Sequence, residues 1–435
     1  MSDARPLAVA VAGLGTVGAE VVRLVRAAAD LHAQRCGRRL EVVGVSARDR
    51  TKDRGVDLGG IDWYDDAVTL ARSAPAEVII ELIGGSDGVA RAVCHEAIAQ
   101  GRHLVTANKA LLAHHGAELV WAAEAKGVAL GYEAAVAGGI PAVKGMREGL
   151  AANRLDRVVG ILNGTCNFIL TGMRESGRDF ATELATAKAR GYAEADPTMD
   201  IDGIDAAHKL VLLAQLAFNG AIAFDSVHVE GIRGLATTDI GYAEELGYRI
   251  KLLGIAERMG EGVCLRVHPC MVPRDLPIST VEGVLNAVVA YGHEVGEVMM
   301  VGQGAGAGPT ASAVVADLLD IARGCRVPPL GAPVQCLAPL THVPIADRQG
   351  AYYLRLMVLD RPGVIAEIAA HMRDQGISLE GFIQRARSPD VAVPVVMTTH
   401  ETTESAMQAA LGEIAALPVV LEAPVLIRIE TLNHQ

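Results

Sequence analysis

Six apolar residues in a row, LAVAVA at positions 7–12, run into glycines at 13, 15 and 18, and an apolar pattern with helical spacing then continues from Ala19 to about Ala33. A short unbroken apolar run reads as a strand covered on both faces, and the change of spacing predicts a helix directly behind it. LEVVGVSA (40–47), AEVIIELI (76–83), HLVTAN (103–108) and VALGYEAA (128–135) repeat the strand pattern, with Ala-rich helical stretches between them. Alternation on this scale predicts an α/β unit of Rossmann type, a doubly wound parallel sheet, over residues 1–150.

The texture changes after 150. Helical stretches at 179–190 and 203–218 mix with strand candidates at 155–162, 226–233 and 263–272, so residues 151–300 read as an α+β substrate and dimerisation domain. VGQGAGAGPTASAVVADLLDIARG (301–324) again opens a helix from a glycine loop and is expected to complete the first domain. Pro328, Pro329, Pro333, Pro339 and Pro344 punctuate 325–349, an irregular linker. Residues 350–435 resume as strand, helix, strand, strand, helix, strand, a third compact unit.

Composition narrows the field. A chain of 435 residues holds two or three domains. Aromatics are only 3%, so the cores must rest on Ala, Val, Leu and Ile. The net charge of -12 argues against nucleic acid, whose phosphates it would repel. No apolar run reaches the roughly 18 residues that a membrane span needs. The apolar N-terminal run ends in glycines rather than a cleavage site. Seven scattered cysteines without a C-x-x-C pair read as reduced thiols, not a disulfide frame or zinc site, and place the protein in the cytoplasm.

Two stretches carry chemistry. VAGLGTVG is G-x-G-x-x-G between a predicted strand and helix. Gly13 would permit the tight turn, Gly15 the approach of a pyrophosphate, and Gly18 close helix–strand packing, with Thr16 and Val17 opening the helix toward the phosphates. The bland alternative is a turn that is merely glycine-rich. The second strand ends in VSARDRTK, without the acidic residue that usually holds an NAD ribose; Arg48 and Lys52 suit the 2′-phosphate of NADP, although Asp49 and Asp53 offset them.

The second stretch, GYAEADPTMDIDGIDAAHKL (191–210), gathers Glu194, Asp196, Asp200, Asp202 and Asp205 before a single Lys209. An EF-hand register would put Lys209 where the bidentate Glu must sit, which excludes that loop. Asp205 and Lys209 fall one turn apart on a helix starting near Gly203. As a surface ion pair they would contribute about 0.3–0.5 kcal/mol and nothing else; as part of an active site they would be an ammonium steadied by carboxylates. Spacing alone leaves both readings open.

Together with TANKALLA (106–113), GILNGTCNFIL (160–170) and GAGAGPTASAVVAD, these two stretches resemble homoserine dehydrogenase in order and spacing across residues 7–324. Residues 350–430, with LDRPGVIAEIA, resemble an ACT regulatory domain of βαββαβ order, and the pairing resembles the monofunctional bacterial enzyme. The resemblance implies NAD(P)-dependent interconversion of L-aspartate 4-semialdehyde and L-homoserine, in threonine, methionine and isoleucine biosynthesis, with NADP(H) preferred over NAD(H). By the same resemblance Lys209 supplies the proton, Asp205 orients the reacting oxygen, and Lys109 is a second lysine near cofactor and substrate. Without it, Lys109 reads as a surface lysine.

Glu194 would hold the substrate ammonium, and the turn at Asn163, Gly164 and Thr165 its carboxylate. The loop at Gly304 would cover the cofactor. Glu133, Val136, Gly138 and Ile140 match a loop for a monovalent cation, Na+ or K+; the plain alternative is a glycine turn before Pro141. Cys166 has no adjacent His and reads as structural rather than as a nucleophile. Asp360, Pro362 and Gly363 match the ACT strand-to-helix turn; such units pair and bind an amino acid, here expected to be threonine, in a homodimer or homotetramer. The rival readings are a nonenzymatic amino-acid sensor with a degenerate dinucleotide fold and a Rossmann dehydrogenase of another small hydroxy or aldehyde acid.

Overall fold

The computed structural model describes residues 5–385 and 391–432. Six parallel strands, β1 (Leu7–Ala12), β2 (Leu40–Ser46), β3 (Asp62–Tyr64), β4 (Val78–Glu81), β5 (His103–Thr106) and β6 (Leu130–Gly131), form one sheet in the order β3-β2-β1-β4-β5-β6. Successive strands are added to one side from β1 to β3 and to the other from β4 to β6, so the carboxyl ends of β1 and β4 frame a crevice. β1 is buried throughout because helices cover both sheet faces. Leu7, Val9 and Val11 pack with Val21, Val22 and Val25 of the helix Thr16–Ala27, whereas Ala10 and Ala12 join Leu70, Ala71 and Val93 on the other side. The helix Ala307–Arg323 returns to this unit, placing Ala311, Val314, Val315 and Leu318 in the same cluster as Val9 and Val11.

A second, mixed sheet carries most of the remaining strands, and Gly220–Ala221 pairs separately with Ala338–Pro339. The strand Leu155–Ile161 lies between Leu285–Gly292 and Tyr248–Met259, and the latter pairs along its whole length with Gly262–Pro273. The helices Gly164–Ser176 and Ile204–Phe218 cover one face, with Cys166, Ile169, Leu170, Leu210, Leu213 and Ala214 in a core continuous with the inner side of the first sheet.

The C-terminal unit runs Gln349–Leu359, Val364–Asp374, Leu379–Ile383, Ala392–Thr399, Glu404–Ala415 and Val425–Ile429, in the order strand, helix, strand, strand, helix, strand. Its last strand pairs in parallel with Gly262–Pro273 through Cys270 to Arg428 and Met271 to Ile429, which fuses both units into one sheet.

Several elements differ from expectation. The helix after the glycine turn is two helices, Thr16–Ala27 and Ala29–Cys36, separated at Ala28 where φ is -111°. The strand expected over 128–135 stops at Gly131, because the Glu133 amide donates to Asp317 Oδ2 (3.0 Å) and the chain turns into a 3-10 helix. The strand expected over 226–233 shrinks to His228–Val229, since Ile232 N leaves for the Ile201 carbonyl (2.8 Å). All seven cysteines are free thiols. Among the described residues no helix is long and apolar enough to cross a membrane.

Candidate active site

The three glycines of the first turn do different jobs. Gly13 sits at φ +103° and a Cβ there would lie 2.6 Å from the Leu82 carbonyl. A Cβ on Gly18 would strike the Gly13 carbonyl oxygen, which locks helix against strand. Gly15 alone faces open space, with no atom within 4 Å of a Cβ. It borders a cleft of about 380 Å³ lined also by Thr16, Lys52, Arg54 and Ala307. The exposed Thr16 opens the helix, while Val17 turns its side chain into the core, leaving backbone amides at the helix start for an anion. Lys52 reaches this cleft. Arg48 is exposed beyond the end of β2 and does not line it.

β5 ends at the same edge of the sheet and leads through the cap Asn108 into the helix Lys109–Lys126. The helix Ile204–Phe218 meets it there, starting after Gly203 (φ +84°) and buried from Asp205 onward, so its charged face has nowhere to go but inward. Lys209 Nζ donates to the Leu162 carbonyl and to Asp205 Oδ2, each at 2.7 Å. Lys109 Nζ lies 3.1 Å from Asp205 Oδ1. Asn163 Nδ2 donates to Asp205 Oδ2 (2.9 Å) and to Asp200 Oδ1 (2.8 Å), while Asn163 Oδ1 caps the helix Gly164–Ser176 through Cys166 N.

One carboxylate therefore holds two ammonium groups. The surface-pair reading of Asp205 and Lys209 fails, because the two side chains are only 11% and 9% exposed. Lys109 keeps a side chain 39% exposed, while its ammonium is held by the same carboxylate. Burial alone would push Asp205 up, but Lys209 and Lys109 hold its carboxyl well below the usual range. Asp205 in turn pushes Lys109 up against the effect of burial, with Asp200 and Glu194 adding to it. Burial pushes Asp200 up.

The remaining expected groups surround this trio. Glu194 is exposed in the loop before the helix, its charge felt at Lys109. Gly164 begins the helix Gly164–Ser176, and the Thr165 hydroxyl is spent on the Tyr192 carbonyl (2.7 Å), so this turn offers backbone amides rather than a hydroxyl. Cys166 is buried, donates to the Asp200 carbonyl, and has its thiol pushed well above the ordinary value by burial, which suits a structural residue.

The loop before Pro141 is pinned between units. Ala137 and Gly138 both take positive φ, and a Cβ on Gly138 would lie 2.6 Å from the Gly304 carbonyl. The Glu133 carboxylate accepts from Val143 N (3.0 Å) and Lys144 N (2.8 Å), and burial followed by the Asp317 charge pushes it up to about 7. The Ile140 carbonyl accepts from Ala142 N (2.7 Å). Among the described residues no hydrogen-bond donor reaches the carbonyls of Val136 and Gly138, which stay available to a cation.

Comparison with known proteins gives the family. A profile described as "Homoserine dehydrogenase, NAD binding domain" matches residues 13–133, and one described as "Homoserine dehydrogenase" matches 141–319. The homoserine dehydrogenase of Pseudomonas aeruginosa is 45% identical over 99% of this chain and 100% of its own length. The chain belongs to the homoserine dehydrogenase family. The relative from Neisseria gonorrhoeae is 42% identical over 99% of this chain and 100% of its own. The crystal structure of the Thiobacillus denitrificans homoserine dehydrogenase superposes with a TM-score of 0.93 at 44% identity, covering 98% of this chain and 99% of that one. The protein is thus an oxidoreductase with a nucleotide-binding Rossmann-like domain.

Three residues of this dehydrogenase site had no sequence signal that singled them out. Arg54 donates from Nε to the Leu14 carbonyl (2.8 Å) and lies 5.4 Å from the Trp63 ring, tying the basic loop to the glycine turn. It was one basic residue among several in RDRTKDR. Glu81, at the end of β4, accepts from Ile83 N (2.7 Å) and Thr106 Oγ1 (2.6 Å) and ties the carboxyl ends of β4 and β5 together. Asn286 is buried with neither amide atom hydrogen-bonded, packed against Gly304 and Gly164.

Proposed function

We propose that this enzyme reduces L-aspartate 4-semialdehyde to L-homoserine with NADPH in preference to NADH. When bound, the cofactor supplies hydride to the aldehyde carbon. Lys209 gives a proton to the aldehyde oxygen as charge develops there, in the role of general acid. Asp205 holds both ammonium groups aimed at one point, and Lys109 adds a second positive charge beside the developing alkoxide. Glu194 takes the substrate ammonium, and the amides of Gly164 and Thr165, with Asn163 holding the turn, take its carboxylate.

Lys52 in the cleft selects the 2′-phosphate, and Arg48, exposed beyond the end of β2, adds positive charge outside it. Carbonyls of Val136 and Gly138, with Glu133 and Ile140 forming the rest of the loop, bind a monovalent cation that braces the Gly304 loop. The C-terminal unit is an ACT domain through which threonine restrains the enzyme, in a homodimer or homotetramer in the cytoplasm. The domains follow the division at 150, 300 and 349, with 301–324 completing the first.

One observation carries the reading: two lysines from different elements converge on one buried aspartate at the carboxyl edge of the nucleotide-binding sheet. NADPH absorbance with aspartate semialdehyde, set against malate and glyoxylate, tests it. A protein that leaves NADPH unoxidised with the semialdehyde removes the reading.

A further inference from the structure

Asn286 carries a primary amide into a place where nothing bonds it. It lies near the start of the strand Leu285–Gly292 and is 1% exposed, and among the described residues neither Oδ1 nor Nδ2 has a hydrogen-bond partner. Buried amides are ordinarily bonded, and an apolar side chain of the same outline would avoid the cost of an unmade bond. Packing alone therefore does not account for an asparagine here. What stands beside it does.

Two glycines flank the amide. A Cβ on Gly304 would strike Asn286 Cγ and fall 2.5 Å from its Oδ1, and a Cβ on Gly164 would fall 3.3 Å from the same oxygen. Gly304 is buried too, and among the described residues no acceptor meets its backbone amide. An unpaired N–H and an unpaired carbonyl oxygen thus lie side by side without bonding.

The far side of the Gly304 loop is clamped. Gly139 N donates to the Gln303 carbonyl (3.0 Å), and a Cβ on Gly138 would fall 2.6 Å from the Gly304 carbonyl. On the near side, Ala287 pairs with Ile161, one residue before Leu162, whose carbonyl holds Lys209 Nζ. Asn286 is therefore the spacer between the Gly304 loop and the strand end that holds Lys209.

We propose that Asn286 is a positioning residue for hydride transfer: with the cofactor in place, its Oδ1 accepts from the Gly304 amide and fixes that loop at one distance from Lys209. The inference rests on the reading that the Gly304 loop covers the cofactor. A ligand that presses on the loop favours the bonded setting over the unbonded one, and can shift the loop only by that difference. Because a misplacement of about 1 Å can cost about a hundredfold in rate, the bond acts on turnover as well as on cofactor affinity.

Asn286→Leu keeps the volume and deletes the acceptor. Without ligand it should melt at or above the temperature of the unmutated protein, since an unpaired buried amide is gone. Titration by NADPH fluorescence should show binding about tenfold weaker, and kcat should fall about tenfold or more, with the KM for the semialdehyde within about threefold. Hydrogen exchange over residues 302–306 gives a readout apart from activity. NADPH should slow the Gly304 amide about tenfold or more in the unmutated protein, and much less in the variant. Asn286→Ala, which deletes the amide and adds no bulk, carries the same test if the Leu variant does not fold.

A variant that binds NADPH and turns over like the unmutated protein overturns the inference and leaves Asn286 as a packing group. Equal protection of Gly304 in both proteins also overturns it, while keeping the reading of the loop. If NADPH binds the unmutated protein and leaves exchange over 302–306 unchanged, the loop reading falls and the role of Asn286 falls with it.

Discussion

Replacing Lys209 by Met separates the catalytic role of the ammonium from its structural one. Met fills the buried stem and deletes the charge. The structure shows two bonds lost, to the Leu162 carbonyl and to Asp205 Oδ2. A buried carbonyl left without its donor costs roughly 1–3 kcal/mol. Asp205 loses one cation but keeps Lys109 at 3.1 Å and Asn163 at 2.9 Å, so it is not stranded. The total destabilisation is about 2–4 kcal/mol, within what a folded domain of ordinary stability, about 5–15 kcal/mol, survives.

The effect on rate is larger and differently placed. A positioned general acid is worth about 10²- to 10⁴-fold, or about 2.7–5.5 kcal/mol of barrier. It should appear in kcat, because the role proposed for Lys209 is proton transfer to the reacting oxygen rather than cofactor binding. Steady-state NADPH oxidation at saturating semialdehyde, with a thermal melt on the same preparation, reads both quantities. The expected result is a kcat at least a hundredfold lower with the KM for NADPH within about threefold of the unmutated value. A folded Lys209→Met protein that keeps more than a tenth of its kcat refutes the assignment.

Four further outcomes follow from the geometry. Gly15→Ala should leave the melting temperature unchanged, since its Cβ meets open space, yet weaken the cofactor tenfold or more, whereas Gly18→Ala should fail to fold correctly because of the Gly13 carbonyl; thermal melts with and without NADPH distinguish them. Asp205 has its folded pKa depressed, so its contribution is present above its unfolded value of about 3.9 and lost as pH falls through the folded value. The gap in melting temperature between the unmutated protein and Asp205→Asn should therefore be constant from pH 5 to 9 and shrink below about pH 4.

Glu133, raised to about 7, works in the opposite sense: it weakens the fold as pH climbs past its unfolded value, and sodium chloride should raise the melting temperature at pH 8 more than choline chloride does. Finally, Arg428→Met leaves Glu404, 3% exposed, buried without its guanidinium, which should cost about 3–5 kcal/mol in denaturant unfolding.

What the chain's pattern discloses and what it hides divide along a physical line. β1, its glycine turn and the carboxylate-to-lysine stretch are legible because their information is local: a short unbroken apolar run ending in glycine, a need for no Cβ, an i to i+4 spacing. The strands Tyr248–Met259 and Leu285–Gly292 escape detection because they are buried on both faces for most of their length, which erases the alternation that marks a half-exposed strand. Lys109 shows the same limit in chemistry. Nothing near TANKALLA separates it from a solvated lysine until the helix Ile204–Phe218, nearly a hundred residues on, brings Asp205 to it.

The seam at the C-terminal unit lies furthest from local reading, and a run of side-chain contacts leads from it toward the active site. Arg428 bonds Glu404 within the C-terminal unit and Glu230 outside it, at 2.6 and 2.9 Å. Two residues beyond Glu230, the Ile232 amide holds the Ile201 carbonyl, and Arg233 pairs with Asp202. Asp200, the next residue back, anchors the Asn163 amide that also holds Asp205. Contiguity of this kind is a route and not yet a switch, because coupling requires an element with two settings that each end can bias. The strand pairing through Cys270 and Met271 lies beside that route, together with Tyr353, Ile427 and Ile429, which pack into the main core. Severing Glu230 from Arg428 with Glu230→Gln should then leave kcat near its unmutated value while changing how strongly any ligand of the C-terminal unit alters it. A variant whose response to threonine matches the unmutated protein's would show that the signal, if one passes, travels elsewhere.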